Sequence, residues 1–107
     1  FLSLLPCKAA PKHRAACAEL LSRINFGLTL GCFEMDFEDG EIRFRTSVPV
    51  VGDVPPEVVE HLVFSNLYTV DRFFGAIMKV LYADAAPKSA LNPAKKRKSS
   101  TSRFELN

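Results

Sequence analysis

Five acids crowd one short stretch, Glu34, Asp36, Glu38, Asp39 and Glu41 in "FEMDFEDGEIRFRT". Paired carboxylates could run acid–base hydrolysis or ligate Ca²⁺. The spacing argues for a plainer role. Glu34, Asp36 and Glu38 alternate with Phe33, Met35 and Phe37, and Arg43 and Arg45 follow beyond Asp39-Gly40. That is the pattern of a solvated sheet face whose acids meet arginines. "DFEDGE" lacks the ligand spacing of a Ca²⁺-binding helix-loop-helix. His13 and His61 are the only histidines, and neither has a His or Cys at helical spacing for zinc. Cys7, Cys17 and Cys32 are odd in number and contain no C-x-x-C, which fits a reducing compartment better than a disulfide framework. The glycines are scattered, so no phosphate loop or dinucleotide fingerprint forms. The residues therefore specify no catalytic, cofactor or metal site.

Charge is divided unevenly. The 107 residues carry a net +2, yet residues 92–107 hold five bases against one acid, leaving the remainder mildly acidic. Lys95, Lys96, Arg97 and Lys98 could contact phosphates, but no aromatic residues alternate with them as a stacking platform. A charged tail that maintains solubility is the favoured reading, with nucleic-acid binding as the alternative. No apolar run approaches the roughly 20 residues of a membrane helix. "FLSLLPC" lacks the basic leader of a signal peptide. An apolar opening without a starting Met suggests the C-terminal part of a longer chain whose earlier strands are missing.

These side chains need elements to hold them. Residues 1–7 read as a buried strand ending at Pro6. Pro11 opens a helix whose Cys17, Leu20, Leu21 and Ile24 form one apolar stripe. Glu19 and Arg23 form an i, i+4 pair, and Gly27 marks the exit. Residues 28–38 read as the next strand, and Asp39-Gly40 as a two-residue hairpin turn. That turn sets Phe37 opposite Ile42, Met35 opposite Phe44, Asp36 opposite Arg43 and Glu34 opposite Arg45. The same register places Leu28, Leu30 and Cys32 on an apolar end of the outer face, near Pro49 and Val51, where a partner would cover them.

Residues 49–56 form a loop with Asp53 as a possible cap. Glu57 to Tyr82 then reads as one long helix, with Ser65-Asn66 and Gly75 as candidate kinks. Val59, Leu62, Val63, Leu67, Val70, Phe74, Ile77 and Leu81 supply its periodicity. Phe64, Tyr68, Phe73, Phe74 and Tyr82 crowd it as core, or as the lining of a partner groove. The order strand, helix, strand, strand, helix specifies an α+β domain over residues 1–91, an antiparallel sheet packed on one face by helices. Residues 92–107 form a flexible basic tail.

The stretches "RINFGLTLGCFEMDFEDGEIRFRTSVPV" and "VPPEVVEHLVFSNLYTVDRFFGAIMKVL" resemble the YbjN family of bacterial sensory transduction regulators. The carriers are Asn25-Phe26-Gly27-Leu28, then Gly31, Phe33, Glu34 and Asp36, then Asp39-Gly40, Arg43 to Thr46, and Asp71. The resemblance implies a fold similar to type III secretion chaperones, often homodimeric, here without its N-terminal strands. It also implies a family not known for enzymatic activity. Residues and resemblance together point to a non-enzymatic protein–protein interaction module of the bacterial cytoplasm, with no cofactor and no membrane contact, that meets its partner through Leu28, Leu30, Cys32, Phe64 and Tyr68; nucleic-acid binding through Lys95, Lys96, Arg97 and Lys98 stays the alternative.

Overall fold

A computed structural model describes residues 1–96. Three strands, β1 (Leu2–Lys8), β2 (Cys32–Met35) and β3 (Glu41–Arg45), form an antiparallel sheet in the order β1-β3-β2. Three helices, α1 (Arg14–Phe26), α2 (Pro56–Tyr82) and α3 (Pro87–Lys96), complete the domain. The fold is α+β, with α1 laid against β2 and α2 against β1 and β3 on one sheet face.

The α1 stripe is buried as its spacing requires: Cys17, Leu20, Leu21 and Ile24 all enter the core. A 3₁₀ turn, Pro11–His13, precedes the helix, and Pro11 occupies its first turn. Arg23 bonds Glu19 at 2.8 Å on the solvent side. Gly27 closes the helix with φ −96°, still right-handed, rather than in the left-handed cap conformation.

The hairpin keeps the expected faces but not the expected register. Phe33 pairs with Phe44, Glu34 with Arg43 and Met35 with Ile42. This is a two-residue offset, so the side chains that remain in the two strands stay on their own faces. The turn is a four-residue loop, 37–40, closed by the Gly40 amide on the Asp36 carbonyl at 2.7 Å and the Asp36 amide on the Glu41 carbonyl at 2.9 Å. Asp36 and Asp39 bond the amides of Glu38 and Glu41. The loop is held from outside. The Arg14 guanidinium donates to the Phe37 carbonyl at 3.1 Å, and the Ala9 amide donates to the Gly40 carbonyl at 2.9 Å. A Cβ on Gly40, where φ is +81°, would collide with the Ala9 backbone. Phe37 consequently leaves the apolar face for solvent.

The strand expected over 28–38 shrinks to Cys32–Met35. Residues 28–31 are loop, so Leu28 and Leu30 lie on no strand face, and no ladder sets Pro49 or Val51 opposite them. Gly31 breaks the strand: at φ +86° it lies flat on the Phe44 ring, where a Cβ would come within 2.6 Å. Asn25 takes up the vacated edge. Its side chain donates to the Phe33 carbonyl at 3.0 Å and accepts from the Phe33 amide at 2.8 Å, imitating a strand. β1 runs past Pro6 to Lys8, with a register shift between Leu4 and Lys8. An edge position tolerates the missing proline N–H.

α2 is continuous over 27 residues, with no break at Ser65-Asn66 or Gly75. Asp53 does not cap it; Pro55 and Pro56 begin it without a side-chain bond. Its buried face departs most from hydropathy. Asn66, Thr69, Ile77, Val80 and Leu81 are buried, while Val59, Leu67 and the aromatic Phe64, Tyr68 and Tyr82 are exposed. α3 has no counterpart in the sequence pattern, and its Ala90 joins the core.

Candidate functional site

Asn66 fixes how α2 lies on the sheet. Its side chain is fully buried and bridges three chain segments. The Nδ2 group reaches the Phe44 carbonyl at 3.1 Å, the Phe1 carbonyl at 3.2 Å and Thr46 Oγ1 at 3.3 Å. The Ser3 hydroxyl donates to its Oδ1. Thr46 in turn donates to the Leu62 carbonyl, one turn earlier on the helix, at 3.1 Å. Buried amides are retained only when their bonds are made, so this cluster sets both the rotation and the axial position of α2. Further along, the Phe33 ring stands 6.3 Å from Phe73, edge to face. Arg72 stacks its guanidinium 4.6 Å over that Phe73 ring.

With Asn66 inward, the opposite side of the helix must face out. At 100° per residue, Phe64, Tyr68 and Tyr82 lie about half a turn from the buried stripe. They are 63%, 53% and 67% exposed, and Leu67 beside them is 50% exposed. Large aromatics in solvent on one helical line are uncommon on a soluble monomer and mark contact surfaces. Next to the start of α2, Val48, Pro49, Val50, Val58, His61 and Leu62 line an apolar groove of about 440 Å³.

The acids do not converge. Glu34 accepts from Arg43 at 2.6 Å and from Arg45 at 3.1 Å on the outer sheet face. The Arg43 hydrogen bond, foremost, holds the Glu34 carboxyl below its ordinary range; burial opposes it, and the Arg45 hydrogen bond and the two guanidinium charges add to the lowering. Asp36, expected opposite Arg43, instead bonds the hairpin loop. Asp39 meets Lys8 at 3.7 Å. His13 bonds Asp84 at 2.6 Å, tying the start of α1 to the α2–α3 link. Among the described residues no three His, Cys, Asp or Glu side chains come together as a metal cluster.

Of the five residues expected to meet a partner, Phe64 and Tyr68 lie together on the outward line of α2. Cys32 sits on the outer sheet face near Glu34, its thiol pushed up by burial and then by that carboxylate. Leu28 is half-buried against the core, and Leu30 is half-buried in the loop. The structure does not bring the five into one patch. Lys95 and Lys96 fall in the last turn of α3, whereas Arg97 and Lys98 lie outside the described residues. Sequence reasoning assigns neither Leu67 nor the groove beside Val48 to a contact surface. Their signal is present as apolar residues flanking and following the helix start, but periodicity does not say which stripe turns inward.

The chain is a small α+β domain, its sheet backed on one face by helices and an aromatic line turned away from the core. Residues 1–78 match the family model YbjN, described as "Putative bacterial sensory transduction regulator". The match covers well over half of the chain, which therefore belongs to the YbjN family. It takes in β1 as well as the hairpin and most of α2. No curated protein and no solved structure matches the chain. No helix among the described residues is long and apolar enough to cross a membrane.

Proposed function

We propose that the protein is a non-enzymatic protein–protein interaction module, a regulator or chaperone-like protein of the bacterial cytoplasm that works as a homodimer. The observation that carries this reading is the outward line of α2. Phe64, Leu67 and Tyr68 hold half or more of their surface in solvent on a helix whose opposite face is pinned by buried polar bonds. A helix pinned in this way cannot roll to bury them, which supports cover by another polypeptide. Family membership supports the regulator class. The paired and capping roles of the acids favour a folding role for them over chemistry. No observation favours the nucleic-acid reading of Lys95 to Lys98.

The test is a photo-reactive amino acid at position 64, installed in the protein in its own cells, with position 12 on the polar side of the fold as control. Discrete protein adducts from position 64 and none from position 12 are expected. Equal or absent cross-linking at both positions would overturn the proposal.

A further inference from the structure

We propose that the outward face of α2 is a self-recognition seam on which two copies of the chain pair antiparallel, an inference that rests on the homodimer reading above and names its surface. Positions 57, 61, 64, 68, 71, 75, 78 and 82 follow each other by steps of four and three, the spacing of a helix–helix seam. All except Met78, which is half-buried, are exposed. Over this stretch the helix runs about 38 Å.

The seam is complementary to itself in one direction only. Turned about a two-fold axis between Thr69 and Val70, it sets the large Phe64 opposite Gly75, where even an added Cβ would meet nothing within 4 Å. A bare glycine on a packed seam admits the facing ring and lets the axes approach. The same turn sets the Tyr68 hydroxyl opposite the Asp71 carboxylate, a donor against a charged acceptor. Glu57 then faces the Tyr82 hydroxyl, and His61 faces Met78. A parallel alignment would instead stack Asp71 on Asp71 and leave Gly75 facing Gly75, joining charge repulsion to a gap. Area is consistent with a stable pair. The exposed parts of the six aromatic rings from two copies amount to roughly 700 Å². Leu67, Met78 and the aliphatic stems of the flanking charged residues bring the total into the range of specific interfaces, above roughly 1,000 Å².

The experiment uses the 107-residue chain and reads mass in solution by light scattering over a range of concentrations, with circular dichroism to confirm folding. The chain should run at twice its 11.9 kDa mass. Phe64→Glu and Gly75→Lys alter exposed positions remote from the core, and each should weaken self-association about 100-fold or more, as loss of a central aromatic anchor does. Mixed in equal amounts, the two variants should form a heterodimer. The carboxylate introduced at position 64 of one copy then meets the ammonium introduced at position 75 of the other, while the native Phe64–Gly75 contact survives at the second site. A wild-type chain that stays monomeric overturns both the seam and the homodimer reading. A wild-type dimer indifferent to both substitutions overturns the seam alone. Variants that dissociate but fail to recombine overturn the antiparallel register.

Discussion

Replacing Asn66 should release α2 from the sheet, and the size of the effect follows from the bonds lost. Asn66→Ala removes the contacts to Phe1, Phe44 and Thr46, leaves the Ser3 hydroxyl without its acceptor, and opens a small cavity. A buried polar group left unpaired costs about 1–3 kcal/mol, and the cavity adds to this. A total of about 2–4 kcal/mol is expected, or about 10–25 °C in Tm for a domain of this size. Asn66→Asp is the sharper probe. A carboxylate can only accept, so it faces the Phe1 and Phe44 carbonyls with no donor to offer. At neutral pH it should therefore destabilise more than Ala does. Burial and those carbonyls raise its folded-state pKa above the unfolded value, so the folded state binds the proton more tightly. Stability of the Asp variant should then recover as pH falls through that raised pKa, whereas the Ala variant shows no such recovery. Urea unfolding followed by circular dichroism at several pH values measures both. A loss below about 1 kcal/mol for Ala, against the cost of an unpaired buried group, or an Asp variant with no pH-dependent recovery, would refute the claim that Asn66 positions the helix.

Three other outcomes follow from the same structure. Glu34, held below its ordinary range by Arg43 and then Arg45, contributes stability that is fully present above its unfolded pKa and is lost as pH falls toward the folded one; Glu34→Gln should flatten that part of the acid limb in a stability–pH profile. Gly40→Ala forces a left-handed residue against the Ala9 backbone and should cost about 2 kcal/mol or more by thermal unfolding, whereas Gly52→Ala, with nothing near its Cβ, should cost about 1 kcal/mol, the backbone strain alone. Cys17 is fully buried with its thiol pushed up to about 11, so a maleimide should label Cys32 and Cys7 in the folded protein well before Cys17, as read by mass spectrometry.

Local pattern carried some of these features and not others. The α1 stripe was legible because Cys17, Leu20, Leu21 and Ile24 leave no other face to bury. The two hairpin faces were legible because alternation survives any even shift of register. The register itself was not, because a two-residue Asp-Gly turn competes with a four-residue loop gripped by Arg14 and Ala9, residues distant in sequence. The loss of strand at 28–31 depends on Gly31 meeting Phe44 and on Asn25 bonding Phe33, again contacts between segments. For α2, periodicity specifies the helix and part of its buried side: Ile77 and Leu81 of the apolar stripe are buried, while Val59 and Leu67 are exposed. The aromatics fit either core or a partner groove by pattern alone, and hydropathy gives no reason to bury Asn66 and Thr69, whose burial turns Phe64, Tyr68 and Tyr82 outward.

The most direct measurement of the central claim, that the outward face of α2 is covered by another polypeptide, is hydroxyl-radical footprinting of the protein inside intact cells against the dilute purified chain. Phe26, 95% exposed, and Phe37 at the hairpin tip serve as internal references. The account predicts that Phe64 and Tyr68 lose most of their oxidation in cells while Phe26 and Phe37 keep theirs. Equal oxidation of Phe64 and Tyr68 in both settings would contradict it.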